Sequence, residues 1–471
     1  MADVIVIGAG LGGLSTAMVL AHDGHDVTVL ERDPSLPPTD PDQAWETWER
    51  RGVNQFRMLH FLLPRWRDVA ERELPEAVAA IEAWGGIRWN MLRELPAELV
   101  GEPREGDELG ESVTARRPVI EAALDSVATR TAGIDIRRGV AVAGLLTGAA
   151  MAHGVPHVTG VRTTDGEELR AHLVIDAGGR RSPLPRWLGD IGARAPIEER
   201  EDSGFVYYGR HFRSTDGRLP RSLAVPLQPY DSLSVLTLPA DNGTWGLGFV
   251  TSARDRDLFA LRDPDRWSAV FARYPLVSHW LDGEPLGGVD VMAKIEDRYR
   301  RFVVDGEPVA TGVLAVGDAW ACTNPSLGRG ASIGLLHACE LRDLLREVPP
   351  SEPYKLALRW DEVTESTVGP LYRMTLAFDQ HRLAEIEAQC AGRPYETDDP
   401  TWALTVAFGR AAYADPDVLR WYRLVTGLMA TPPEVFAVPG RAERVMELAA
   451  SGAAPPLEGP DRAELLAVLN G

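Results

Sequence analysis

The stretch Val4–Gly13, VIVIGAGLGG, constrains this chain more than any other. Branched apolar residues up to Ile7 favour a strand buried on both faces, and glycines end it at once. Gly8, Gly10 and Gly13 stand in the spacing G-x-G-x-x-G. A helical pattern follows, with Leu14, Ala17, Met18 and Ala21 on one side, and HDVTVLERD then reads as a second strand ending at Glu31. Such glycines let backbone N–H groups approach a diphosphate at a helix N-terminus. Glu31 lies where a carboxylate meets a ribose hydroxyl. A tight turn without a ligand is the plainer reading of the glycines alone. Strand, turn, helix, strand and acid in this order predict a dinucleotide-binding α/β unit.

Two later stretches share this logic. His172–Ser182, HLVIDAGGRRS, is an apolar strand ending in Asp176, then Gly178, Gly179 and two arginines. Gly312–Ala338 is an apolar strand ending at Gly317 and Asp318, followed by Pro325, Gly328, Gly330 and a long helix. Ligands of open α/β sheets bind beyond the carboxyl ends of the strands. Three strand-to-glycine transitions therefore point to one extended ligand crossing one sheet. Asp318 is suited to accept a bond from a sugar alcohol. The helix starting near Gly330 aims its positive dipole end at the electron-rich edge of a reduced flavin. Together these features make FAD the expected cofactor.

Composition narrows the rest. The chain has 471 residues and a formal net charge of −20, which disfavours nucleic acid or an anionic membrane as partner. Of its 49 basic residues only Lys294 and Lys355 are lysines. The three cysteines show no CxxC spacing, so neither a disulfide framework nor a metal site is expected. The apolar N-terminus lacks a basic leader and no run is long enough to span a bilayer, so a cytoplasmic location is expected.

Farther along, 66–84 has helical spacing, 94–111 reads as a loop, and 204–249 reads as an antiparallel sheet. A helix is expected over 263–281 and another over 332–346. Residues 352–389 read as helical with a break at Gly369-Pro370.

Taken together, GAGLGG with Glu31, DAGGRRS and GDAWACTNPSLGRG resemble the class A flavoprotein monooxygenases, the para-hydroxybenzoate hydroxylase-like fold. Gly52–Leu63, GVNQFRMLHFLL, is similar to a flavin-contacting segment of the squalene-epoxidase-like branch, and Ala115–Leu124 to its Arg-Pro-x-x-Glu element. The motifs span roughly the first 340 residues. One departure is Arg329, where members often carry Gln between the two glycines.

The resemblance implies a Rossmann-like FAD-binding domain over 1–190 and 290–350, an inserted antiparallel β-sheet substrate domain over 190–290, and a helical C-terminal region over 350–471. It implies that Gly8, Gly10, Gly13, Glu31 and Arg32 hold the ADP half of FAD. Arg57 and Arg117 are then expected at the diphosphate or ribose, and Asp176 and Arg180 in a motif tied to both FAD and NAD(P)H. Asp318 is expected on the ribityl chain, and Pro325, Gly328 and Gly330 beside the ring.

The reaction implied is hydroxylation or epoxidation of an organic small molecule, aromatic or polyketide-like, by molecular oxygen through a C4a-hydroperoxyflavin. Electrons come from NAD(P)H or from a separate flavin reductase. This class and the arginine-rich composition associate the chain with secondary metabolism. The main alternative is an FAD-dependent reductase or dehydrogenase acting on an alkene. A non-catalytic flavin-binding protein ranks below it. A halogenase is disfavoured because no lysine precedes Lys294 and no W-x-W-x-I-P occurs.

No catalytic triad is demanded by such chemistry. The pocket candidates are His60, near Arg57, and Tyr207, Tyr208 and Arg210 on the strand GFVYYGRHFR. Alternation puts Tyr208 and Arg210 on one face and Tyr207 on the other, and the sequence leaves open which face lines the pocket.

Overall fold

The computed structural model describes residues 1–50, 52–53, 55–150, 154–453 and 456–471. Its centre is a five-stranded parallel sheet. Val313–Ala315, Leu173–Asp176, Asp3–Ile7, Asp26–Glu31 and Ile134–Arg138 lie side by side in that order. Alternation in the first strand feeds two cores. Val4 and Val6 join one face with Val27 and Val29, while Ile5 and Ile7 join the other with Leu30. The helices Leu11–His22 and Gly330–Glu347 share the first of these cores through Leu14, Met18, Leu335 and Leu341.

The register brings three strand ends to one line. Ile7 pairs with Asp176, and Ala315 pairs with Asp176 on the other side. The glycine turns that follow these strands therefore open on the same edge.

A second, antiparallel sheet is built on the long strand Phe205–Arg213, which pairs with Thr244–Ser252 along its full length. Leu227–Tyr230 and Leu233–Pro239 extend it on one side, and Glu284–Pro285 and Asp290–Met292 on the other. Val206, Tyr208 and Phe212 pack with Trp245, Phe249 and the helix Pro264–Phe271. The opposite face, with Phe205, Tyr207 and Leu236, turns toward Met58 and Ile386. The architecture is mixed α/β, with parallel and antiparallel sheets.

Several local expectations need correction. The segment 66–84 is two helices, Pro64–Glu73 and Pro75–Ala83, divided at Leu74 because Pro75 has no N–H and takes a first-turn position. The stretch 94–111 is not wholly loop, since it holds the helical turns Ala97–Val100 and Asp107–Gly110. The helix expected over 263–281 ends at Phe271, and a separate turn spans Ser278–Leu281. The break at Gly369-Pro370 does not occur. Pro353–Cys390 is one helix of 38 residues with Pro370 inside it. An internal proline costs about 3 kcal/mol; here burial of Leu356, Trp360, Val368, Tyr372 and Ile386 along the helix offsets it. Among the described residues no helix is long and apolar enough to cross a membrane.

Two adjacent glycines give a test of the first turn. A Cβ at Gly13 would lie 1.9 Å from the carbonyl oxygen of Gly8, whereas a Cβ at Gly12 would meet nothing within 4 Å. Gly13→Ala should lose about 1–3 kcal/mol in chemical unfolding, while Gly12→Ala should be neutral or gain up to about 1 kcal/mol of helix preference. Equal effects of the two substitutions would refute the close approach of helix and turn.

Candidate functional site

One cavity of about 1790 Å³ runs along the converging strand ends into the space beneath the antiparallel sheet. Gly8 and Gly10 line its first part. Gly8 takes φ +104°, and a Cβ there would stand 2.8 Å from the Ala177 carbonyl, so the two glycine turns touch. Around Gly10 there is open space. The helix Leu11–His22 begins there with no side-chain cap, leaving its first N–H groups for a ligand. The helix Gly330–Glu347 also starts uncapped at the cavity wall.

Glu31 lines the cavity, but its carboxylate is already engaged. It accepts from the N–H of Ala9 and of Asp33, each at 2.9 Å, and pairs with Arg50. Arg50 also donates to Glu121 at 2.6 Å and to the Ala9 carbonyl at 2.8 Å. Glu121 is fully buried and accepts from Arg117 at 2.8 Å. Burial, the largest influence, raises the Glu121 carboxyl, yet Arg50 and Arg117 bring it below its ordinary value.

Arg32, Arg117 and Arg180 line the cavity. Arg57 does not. Its guanidinium turns to the carbonyls of Glu46 and Trp48, and Arg50 occupies the place beside Glu31. Asn54 of the same segment lies outside the described residues. Asp176 is fully buried behind the wall, where it accepts from the Gly178 N–H at 2.9 Å and from the Ser182 hydroxyl. Its place is the turn, not the cavity surface.

Asp318 stands open to the cavity. Burial within the protein, the largest influence, raises its carboxyl, while Arg117 and Arg180 pull it down. Pro325, Gly328 and Gly330 line the wall beside it. Gly328 has φ +64° and ends the short turn Pro325–Leu327.

The antiparallel strand resolves its own ambiguity. Tyr207 lines the cavity and donates its hydroxyl to Asn324 Oδ1 at 2.7 Å. Asn324 in turn donates its N–H to Asp297 at 2.7 Å. Tyr208 and Arg210 are on the wrong face. Tyr208 is packed in the aromatic core, and Arg210 reaches away to Ser268 Oγ at 3.0 Å and the Gly287 carbonyl. His60 lines the cavity with its Nδ1 buried and without a partner among the described residues. Burial, helped by Arg117, pushes its imidazole down to about 3, so it is neutral at pH 7.

Aromatic residues complete the cavity wall, and apart from Phe61 in the segment Gly52–Leu63 no sequence motif marked them. Phe61, Trp89, Tyr372, Phe408 and Tyr422 line it, the last three from C-terminal helices. Among the described residues no cluster of His, Cys, Asp and Glu is placed to hold a metal.

A family profile described as FAD dependent oxidoreductase matches residues 3–40, the strand, glycine turn and acid at the head of this cavity. The chain is an FAD-dependent oxidoreductase. Over 468 aligned residues the enzyme is 29% identical to Protein Rv3254 of Mycobacterium tuberculosis, covering 93% of this chain and 92% of that one. It is 22% identical to the FAD-dependent monooxygenase atnJ of Arthrinium sp, over 82% of this chain and 87% of the relative. Its fold is similar to that of Klebsiella pneumoniae HpxO solved in complex with FAD, with a TM-score of 0.60 at 18% identity, covering 92% of this chain and all of that one. The open cradle at Gly10, the uncapped helix starts and the cavity-facing Asp318 fit an elongated cofactor with a diphosphate and a polyol.

The buried Arg50 of this oxidoreductase is the testable element. Arg50→Met leaves Glu31 without its cation and Glu121 with Arg117 alone, and should cost about 3–5 kcal/mol in urea unfolding at pH 7. Glu121 is held below its ordinary value, so its contribution is full above that value and fades as pH falls through the lowered one. The gap between the wild type and Arg50→Met should therefore shrink below about pH 4. A gap that does not change with pH would refute the ion-pair account.

Proposed function

We propose that this oxidoreductase is a monooxygenase that hydroxylates or epoxidises an apolar, ring-bearing small molecule. The observation that carries this reading is the continuity of the cavity. The glycine turns and Asp318 line the same cavity as the aromatic residues Phe61, Trp89, Tyr372, Phe408 and Tyr422. The names of the relatives point the same way.

In this reading the glycine turn at Gly8–Gly13 and the first N–H groups of the helix Leu11–His22 hold the diphosphate of FAD. Glu31 and Arg32 flank the adenosine ribose, and Arg50 fixes the Glu31 carboxylate from behind. Arg117 and Arg180 neutralise charge near the diphosphate. Asp318 accepts from the ribityl hydroxyls, and Pro325, Gly328 and Gly330 let the backbone pass close to the flat ring. Asp176 shapes the turn that carries Arg180. The halves 1–190 and 290–350 then form one cofactor domain, 190–290 the sheet over the substrate, and 350–471 a helical wall.

When bound and reduced, FAD supplies the two electrons that activate dioxygen, one atom passing to the substrate and the other to water. The chain's own task is to bind, orient and keep water out. Phe61, Trp89 and Phe408 exclude water. The hydroxyl of Tyr207, held by Asn324, gives one fixed polar contact at the wall. His60 offers a neutral ring nitrogen nearby. NAD(P)H is the proposed reductant.

The test is single-turnover oxidation under ¹⁸O₂ with NADH or NADPH and a panel of polycyclic aromatic substrates. One labelled oxygen atom in the product is expected. Anaerobic conversion of an alkene with no label would replace this reading by the reductase. A separate check concerns the cofactor. Asp318→Ala loses a charged hydrogen-bond acceptor and should bind FAD about tenfold more weakly or worse, read as flavin content after purification and by titration of the apoprotein. Full flavin retention would remove Asp318 from that role.

A further inference from the structure

Two arginines that line the cavity are in no salt bridge among the described residues. Arg329 lies between Gly328 and Gly330, and Arg423 on the helix Pro416–Thr426. Both line the cavity, and they are only 7% and 6% exposed. Each spends part of its fork on the protein. Arg329 Nη1 donates to Thr375 Oγ1 at 3.0 Å, and Arg423 Nη2 donates to the Gly110 carbonyl. The Nε of each is buried with no partner among the described residues.

Counter-charge is partial at Arg329 and lacking at Arg423 among the described residues. Tyr422 sits near both guanidiniums, but burial, the largest influence, pushes its phenol up to about 12, so it is neutral. Among the described residues Asp379 is the one carboxyl acting on Arg329. Its Oδ1 accepts from the Ser326 hydroxyl at 2.5 Å, and burial pushes it up to about 7. Among the described residues no carboxylate acts on Arg423. Asp318 faces Arg117 and Arg180 instead. Burial lowers both arginines to about 10, so both stay charged at neutral pH. Buried cations without partners cost several kcal/mol unless something pairs with them.

We infer that Arg329 and Arg423 form the seat for a single oxyanion, a carboxylate or an ionised enol or phenol, carried by an otherwise apolar substrate. The anion answers the two cations, and the apolar body answers the walls formed by Phe61, Trp89 and Phe408. A neutral ring system of the same size leaves both guanidiniums unpaired and binds less well. A planar fork suits an oxyanion in two-point contact. This inference rests on reading the aromatic compartment as the substrate site, and it names the class of molecule that the site takes.

Binding to the oxidised, FAD-loaded enzyme tests it without turnover. Calorimetry would compare 2-naphthoate with 2-naphthamide, and 2-hydroxy-1,4-naphthoquinone with its methyl ether, at pH 7.5. At least one anion should bind about tenfold or more tightly than its neutral partner, and which one does so separates the carboxylate from the ionised enol. Arg423→Gln and Arg329→Gln should each erase most of that preference and leave the neutral probes within about twofold, while Arg423→Lys should restore part of it. Flavin content and melting temperature show whether each variant is folded. No preference in the wild type, or a preference that survives in the doubly substituted R329Q/R423Q enzyme, overturns the inference. Anion preference without incorporation of labelled oxygen leaves this inference standing and removes the monooxygenase reading.

Discussion

The parallel register around Leu173–Asp176 is the constraint on which the rest of this molecule depends. This strand touches Asp3–Ile7 on one side and Val313–Ala315 on the other, although the three lie far apart in sequence. Each is too short and too apolar to carry a function alone. Paired, they stop at one line, and the glycine turns that follow converge on one edge. A one-residue slip in either pairing would move Asp176 and its neighbours across the sheet. The hydrogen bonds that Asp176 accepts from Gly178 and Ser182 reinforce the turn at that edge. The buried triad of Glu31, Arg50 and Glu121 extends the same edge toward the helix Arg117–Ala128.

What was legible in the sequence was local. The bounds of Asp3–Ile7, the turn at Gly8 and the strand end at Glu31 follow from residues adjacent in the chain, because glycine and branched side chains act through their own backbone. The same holds for the second and third glycine turns. Parity along Phe205–Arg213 was also legible, but not which parity faces the cavity. That depends on the helix Pro264–Phe271 claiming Tyr208 through Trp267, whose indole donates to the Tyr208 carbonyl at 3.0 Å. Nothing in the strand itself announces that helix.

Long-range charge pairing was the least legible part. Arg57 sits in a suggestive segment, yet its Nη2 turns to two nearby carbonyls. Arg50 has no motif around it and becomes important because two acids, Glu31 and Glu121, converge on it in space. The aromatic lining from Phe408 and Tyr422 arises from amphipathic helices whose sequences would serve equally well against any core. For helices of this kind the identity of the face is set by docking, which leaves only a weak trace in the pattern.

The helix Pro353–Cys390 has a mechanical meaning. At 1.5 Å per residue its 38 residues reach about 57 Å, longer than either sheet is wide. Trp360 ties it to the Ala315 carbonyl at the end of the parallel sheet. Thr375 and Asp379 tie it to the loop at Arg329 and Ser326. Arg382 ties it to the carbonyls of Tyr230 and Leu233 in the antiparallel sheet. It is thus a beam bolted to three parts of the molecule. The spacing between them is fixed by helix rise rather than by loop contacts, so the cavity keeps its length as the side chains around it relax. Any flexing of one sheet against the other bends this beam, and its weakest point is Pro370, where a backbone hydrogen bond is missing. That point borders the cavity itself.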